Sequence, residues 1–312
     1  MNNMIRFWNQ NRKGIIAGIA AIVLLILFIQ VLNEMARQEK EEKNNNKIVL
    51  TEEEKKLPTE SIIGDDRVSI EETKINVEII ENFVEKCNNG QVSEAYQLLT
   101  EGCKKALFSS EESFKRGYID IIFKNKKIIN IENFVSRNER YTYKVNFYND
   151  ILSSGNANDE DSYQDYITID TDGKLNISDL IYRKEINKEL EFEGIKVTIV
   201  AQEIYKENEN YEIKIKNNTK NRILIDTQEK SKSVYIVGSN NITYDSFINE
   251  ISDVLLEIPR GIERNYEIGF NKIYSTGVTT NSIVFTDIVL DCETYKQTPE
   301  KVEERLKITV SI

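Results

Sequence analysis

The sequence predicts an N-terminal transmembrane helix, then an α+β domain, then an all-β domain. Three observations carry that class. One nineteen-residue stretch is apolar on every side. The next folded stretch switches from helical spacing to two-residue alternation. The last third consists of short alternating runs broken by turn residues.

The apolar stretch, Gly14 to Leu32, reads GIIAGIAAIVLLILFIQVL, with Gln30 as its single polar side chain. At helical rise it would span about 28 Å, close to the ~30 Å hydrocarbon core of a bilayer. A soluble helix buries one stripe and has no use for an apolar surface all round. A signal peptide would end in small residues, whereas Asn33-Glu34-Met35-Ala36-Arg37 follows here, and no cysteine follows for lipoprotein processing. The expectation is an uncleaved signal anchor contacting the lipid bilayer through Gly14–Leu32. Arg6, Arg12 and Lys13 precede it without an acid, while Arg37, Lys40, Lys43 and Lys47 follow among Glu34, Glu39, Glu41 and Glu42. The counts of basic residues nearly tie, and Arg12-Lys13 abutting the span tips the orientation to N-terminus inside. Residues 1–13 are then a cytoplasmic tail, and the C-terminal domains lie outside a single-pass cell-membrane protein. Phe7 and Trp8 fit an interfacial anchor, and Gly14-x-x-x-Gly18 matches a small-residue helix-pairing motif that allows a homo-oligomer. Residues 33–70 read as a polar stalk or linker broken by Pro58, Gly64 and Asp65-Asp66.

Charge and composition exclude several function classes. The 312 residues include 41 basic and 52 acidic ones, giving −11, and no histidine. Without histidine there is no Ser-His-Asp or Cys-His pair and no imidazole metal site. The acidic balance repels phosphate backbones, and Lys124, Lys126 and Lys127, or Lys214 with Lys216, sit in mixed polar sequence, so no nucleic-acid partner is expected. Cys87, Cys103 and Cys292 have no metal spacing. Cys87 and Cys103 fall on neighbouring predicted helices, either as a disulfide or, the favoured reading, as small apolar core residues; Cys292 reads as a free thiol. Heavy use of Ile, Lys and Asn, with AT-rich codons, fits a low-GC bacterial genome.

The α+β domain is placed at 71–190. Ile75, Ile79, Ile80, Phe83, Val84 and Cys87 repeat at helical spacing until Asn88-Asn89-Gly90. A second stripe runs from Val92 through Ala95, Leu99 and Cys103 to Leu107, and Ser110-Glu111-Glu112 opens a third helix with Phe114, Tyr118 and Phe123. Ile128–Ile131 suggests a strand, and Tyr141, Tyr143, Val145 and Phe147 alternate as a half-buried one. Ile167–Ile169 and Leu175–Ile177 flank the turn pair Asp172-Gly173 as a hairpin. Asp170 to Gly173 is no EF-hand loop, because glycine stands at position four and Ile181 at position twelve.

On this layout the stretch FVEKCNNG from Phe83 to Gly90, running into Ala95-Tyr96 and Leu98-Leu99, resembles the first two helices of NTF2-like domains, and Gln164 to Arg183 resembles their last hairpin. The resemblance implies a curved sheet closed by helices into a cone. Some members are enzymes, and Tyr141, Tyr143, Tyr163, Tyr166 and Asp165 would supply a Tyr/Asp site of the ketosteroid-isomerase kind. The reading preferred for these five is an aromatic core beside a surface acid.

The all-β domain is placed at 193–312. Ile195–Ile199, Tyr211–Ile215, Ile223–Ile225, Val234–Val237, Tyr266–Phe270, Ile283–Phe285, Ile288–Leu290 and Ile308–Ile312 are about eight short strands of a β-sandwich. The run YEIKIKNNT from Tyr211, then Ile258-Pro259-Arg260-Gly261, then Glu267 to Phe270, resembles Ig-like domains of bacterial surface lipoproteins. That resemblance implies adhesion or spacing.

The functional expectation is a non-catalytic, extracytoplasmic module that binds or scaffolds at the cell envelope through a protein or cell-wall partner. No catalytic, cofactor or metal residue is assigned. The alternatives are a membrane subunit of a conjugation or type IV secretion apparatus, and a Tyr/Asp enzyme in the cone.

Overall fold

A computed structural model describes residues 63–64, 68–150, 162–229, 232–302 and 305–312. The expected tail at 1–13, the span Gly14–Leu32 and nearly all of the stalk at 33–70 lie outside the described residues. The described residues form one compact unit.

Helix α1 (Ile70–Asn88) starts at Ser69, whose hydroxyl accepts the Glu72 amide at 3.1 Å, and ends before Gly90 at φ +67°. Its buried face, Ile80, Phe83, Val84 and Cys87, follows the predicted stripe. The second stripe does not make one helix. It breaks into α2 (Val92–Gln97) and α3 (Glu101–Ala106), because the backbone between them bonds sideways. The Thr100 amide donates to Leu175 O and the Leu175 amide to Leu98 O, each at 2.9 Å, while the Thr100 hydroxyl caps α3 through the Cys103 amide. The third becomes α4 (Glu111–Phe114), a π turn over Lys115–Ile119 and the short α5 (Asp120–Ile122).

These helices cover one face of a five-stranded sheet in the order β1 (Ile63–Gly64), β2 (Lys127–Arg137), β3 (Arg140–Asn149), β4 (Tyr163–Ile169) and β5 (Leu175–Asn176). Only β1 on β2 is parallel among the described pairs of this sheet. The first core lies between the two layers, with Phe83, Phe114 and Tyr118 against Tyr143, Val145, Phe147 and Ile167.

Strand β6 (Leu180–Phe192) then leaves that core and pairs with β7 (Ile195–Tyr205), β7 with β8 (Glu209–Asn217), and β8 with β13 (Glu263–Phe270), in a four-stranded antiparallel sheet. A facing sheet holds β10 (Val234–Gly238), β11 (Thr243–Asp245), β14 (Thr280–Ile288) and β15 (Leu306–Ser311). The pair β9 (Ile223–Leu224) and β12 (Glu257–Ile258) closes one side, next to the short α6 (Asp253–Leu256). Strict alternation in β8, with Glu209, Tyr211, Ile213, Ile215 and Asn217 inward, fills the second core with Val197, Ile236, Phe270, Phe285 and Ile308. The runs predicted separately at Ile283 and Ile288 are one strand with a bulge between Phe285 and Ile288. Helix α7 (Cys292–Gln297) stands where only strands were expected; Asp291 caps it by accepting the Thr294 amide at 3.0 Å.

The three-part class read from the sequence is therefore corrected. The described residues are mostly antiparallel β-sheet with few helices, and among them no helix is long and apolar enough to cross a membrane. The second predicted helix, the one that breaks, rests on apolar spacing. Spacing marks a buried face but not whether backbone hydrogen bonds stay inside the segment, and at Leu98–Thr100 they do not.

A third cluster, Val135, Ile181, Ile204 and Tyr274 with Phe134 and Tyr182 around it, joins the two cores. Asn176 braces it: its side chain donates to Ile181 O at 2.9 Å and accepts the Thr100 hydroxyl at 2.5 Å. Gly102 lets α3 lie directly on β6, since a Cβ there would meet Arg183 Cβ at 3.1 Å. Ile181 is 0 % exposed and Ile75 53 %. Ile181→Ala is expected to cost about 2–5 kcal/mol in chemical denaturation, against under about 0.5 kcal/mol for Ile75→Ala.

Candidate functional site

The β2–β3 hairpin turns through two residues, Asn138 and Glu139, at φ +53° and +58°, the left-handed pair of a type I′ turn. That turn ends β2 at Arg137 beside the second core. Arg137 Nη1 donates to Tyr274 O at 3.1 Å, and its guanidinium lies 5.7 Å from the Tyr274 ring centre. Gly277, at φ +70°, makes room for it: a Cβ there would fall 2.8 Å from the guanidinium carbon.

Arg137 forms one wall of a cavity of about 140 Å³ between the hairpin and the sandwich-like pair of sheets. Tyr182, Lys184, Gln202 and Ile204 line it from β6 and β7, and Lys272, Tyr274 and Thr280 from the other side. Its floor is a buried polar cluster around Glu209, which occupies an inward position of β8 and is 1 % exposed. One oxygen of Glu209 takes the Lys272 ammonium; the other accepts Gln202 Nε2 at 3.0 Å, the Tyr211 hydroxyl at 3.0 Å and the Thr280 hydroxyl at 2.8 Å. Gln202 Nε2 also donates to the Tyr211 oxygen at 2.7 Å. Burial, and then the Glu209 charge, push the Tyr211 phenol well up, so it remains a donor. Such a pair is retained in an apolar core only when further hydrogen bonds support it, as the three donors on the second Glu209 oxygen do here.

A second ionic network sits where α3 meets β6. Arg183 bonds Glu203 and Glu212, the latter at 2.8 Å, and Glu185 bridges to Lys105 at 3.0 Å. Burial raises the Glu203 carboxyl, opposed by Arg183.

The five Tyr and Asp positions singled out in the sequence are dispersed. Asp165 is 1 % exposed, so it is no surface acid. It accepts the Tyr118 hydroxyl at 2.7 Å and the Ser178 and Asp179 amides at 3.1 and 3.2 Å. Burial pushes its pKa up to about 6, against the pull of Tyr118 and Ser178. The Tyr143 hydroxyl instead accepts Asn76 Nδ2 at 3.1 Å, and burial pushes it up to about 12. Neither Tyr143 nor Asp165 lines the junction cavity or the outer grooves beside α1, β6 and β8. Tyr141 donates to Glu72, Tyr163 is half-exposed, and Tyr166 packs on Phe134 and under Lys206. Cys87, Cys103 and Cys292 are buried free thiols, and burial raises each of them. At the Asp170–Gly173 turn, Asp170 and Asp172 accept the Thr171 and Lys174 amides, and Arg140 pairs with Asp170 at 2.9 Å, as befits a hairpin turn.

Sequence reasoning did not single out Glu209, Lys272 or Arg137. The alternation of Tyr211, Ile213 and Ile215, carried one step back, places Glu209 inward, and that was the available signal.

No family model and no curated protein sequence matches this chain. Among solved structures, a functionally unknown protein from Listeria monocytogenes EGD-e aligns at TM-score 0.29 and 10 % identity, over 43 % of this chain and 85 % of that one. The yjhA protein from Bacillus subtilis aligns at 0.29 and 13 %, over 41 % and 98 %. A conserved hypothetical protein from Bacillus anthracis aligns at 0.25 and 16 %, over 36 % and 92 %. Scores this low carry no argument about fold or activity, and no comparison identifies an NTF2-like or Ig-like family.

Lys272→Met strands the buried Glu209 charge and is expected to cost about 3–5 kcal/mol. The loss is read by urea denaturation of both chains under the same conditions.

Asp165 makes the opposite kind of test. Its folded pKa of about 6 lies above the ordinary 3.8, so the folded state holds the proton more tightly. Its contribution is therefore full below that ordinary value and is lost as pH rises through about 6. Between pH 5 and 7.5 the chain should lose about 1.4 kcal/mol more than Asp165→Asn, read by urea denaturation of both.

Proposed function

We propose that this protein is a non-catalytic module that binds or scaffolds at the bacterial cell envelope. The apolar segment Gly14–Leu32 holds it at the lipid bilayer, and the folded residues stand on the extracytoplasmic side, where a protein or wall component is the partner. The observation that carries the reading is where the buried charge goes. Asp165, Glu203, Glu209 and Lys272, four buried ionisable side chains of the two cores and their junction, are spent on internal partners that hold strands and helices together. Groups committed in this way build a rigid body that presents a surface. The absence of histidine and the net charge of −11 support the same reading, the charge favouring solubility of the displayed part.

Cell fractionation with protease treatment of intact cells tests it. The chain with a C-terminal tag is expected in the membrane fraction and the tag is expected to be cleaved from outside; a version lacking residues 14–32 should leave the membrane. A tag protected in intact cells, or a deletion that stays membrane-bound, would overturn the placement.

A further inference from the structure

We propose that the cavity between the two cores is a binding site for a small neutral carboxamide, a –CONH2 group carried on a compact apolar body. This goes beyond the envelope role, and neither bilayer attachment nor orientation bears on it.

The cavity floor holds a donor and an acceptor that the fold leaves unused. Lys272, 2 % exposed, gives its ammonium to one Glu209 oxygen and to no other partner among the described residues, so two of its three N–H bonds are free. Gln202, 6 % exposed, spends its amide nitrogen on the second Glu209 oxygen and on the Tyr211 oxygen. A carboxylate only accepts, so the nitrogen of Gln202 is the atom that faces Glu209 and its Oε1 is turned elsewhere. That oxygen takes no donor among the described residues, and it is not sealed in protein, so it opens onto the cavity that Gln202 lines. An acceptor left unfilled in a buried setting costs free energy that a matching ligand recovers. A primary carboxamide fills both places at once: its carbonyl accepts from the Lys272 ammonium and its NH2 donates to Gln202 Oε1. Lys272 and Gln202 hold the two oxygens of one carboxylate, which brings both within reach of one small group.

Charge, size and walls narrow the ligand further. Glu209 and Lys272 answer each other, and Arg137 is engaged by Tyr274 O. An anion at the floor would lie against the Glu209 carboxylate, and a cation against the Lys272 ammonium, so a neutral group is the one accepted there. About 140 Å³ equals roughly five water volumes, room for a ligand of about benzamide size and too little for a nucleotide or a peptide. Ile204 and the rings of Tyr182 and Tyr274 give the space apolar sides, which suit an aromatic or aliphatic body. Burial pushes the Tyr182 phenol up to about 12, so at neutral pH that wall is uncharged. Apolar walls around a few convergent polar groups are the ordinary setting of a small-molecule site.

The experiment is calorimetric titration of the full-length chain in lipid nanodiscs with benzamide, empty nanodiscs serving as the blank. Acetophenone, which keeps the carbonyl and the ring but lacks the N–H donor, and benzoate, the anion of the same shape, are titrated beside it. Benzamide is expected to saturate one site, with acetophenone and benzoate each at least about tenfold weaker. Gln202→Leu removes the acceptor and should weaken benzamide about tenfold. Val278→Phe, at a half-buried position of the cavity wall, fills the space and should weaken benzamide by at least about tenfold. Should Gln202→Leu fail to fold, the three ligands on the unaltered chain and Val278→Phe carry the test. No saturable benzamide binding to about 20 mM, acetophenone or benzoate binding as tightly as benzamide, or an unchanged affinity in either folded variant would each overturn the proposal.

Discussion

The folded part depends on β6 running as one strand from the first core into the second sheet, with bulges between Leu180 and Tyr182 and between Glu185 and Lys188. Leu180 is packed in the first core, Ile181 in the junction cluster, and from Leu180 onward the strand's backbone pairs with β7 of the second sheet. A strand cannot change cores without keeping its backbone groups bonded, and here the Ile181 carbonyl is met by Asn176 while the ladder to β7 continues. The two cores are thereby placed by hydrogen bonds as well as by apolar contact, which leaves little freedom at the point where a linker would otherwise be. The Arg137 contact with Tyr274 is a second tie across the same junction, made by a side chain where β6 makes it with backbone.

Polar burial follows from that placement. Joining a helix-covered sheet to a pair of sheets brings strand ends and their charges out of water. Each deep charge then needs a counterpart. Arg183 answers Glu203 where α3 rests on β6, and Lys272 answers Glu209 beneath the hairpin. Among the described residues Asp165 pairs with no cation and is answered by one hydroxyl and two amides, and burial pulls its protonation toward neutral pH. The junction cavity is the space left where these polar clusters and the Tyr182 and Tyr274 rings fail to close on one another.

How much was legible depended on whether a signal was local. The first helix, the strand at Tyr141–Phe147 and the alternating runs of the second core stand in the sequence, because burial of one face writes a period directly into the residue order. The break at Leu98–Thr100 was not legible, since it is imposed by Leu175, far along the chain. Helix α7 was missed although its capping pair, Asp291 and Thr294, is local; its six residues are too short to show a period. The Tyr and Asp positions weighed as an alternative site do not converge, since Tyr143 and Asp165 answer to different partners, Asn76 and Tyr118.

The sequence by itself determined the inward face of alternating strands such as β3 and β8, the exclusion of imidazole chemistry, and an apolar stretch at Gly14–Leu32 that no described helix resembles. These are properties of residue identity and spacing. Only the tertiary structure decided that Glu209, Lys272, Gln202, Tyr211 and Thr280 meet, and that Arg137 reaches across to Tyr274. Those groups come from separate strands and loops up to 137 positions apart, and a pairing over that separation is selected by the energy of the assembled core, in which no stretch of sequence taken alone has a share.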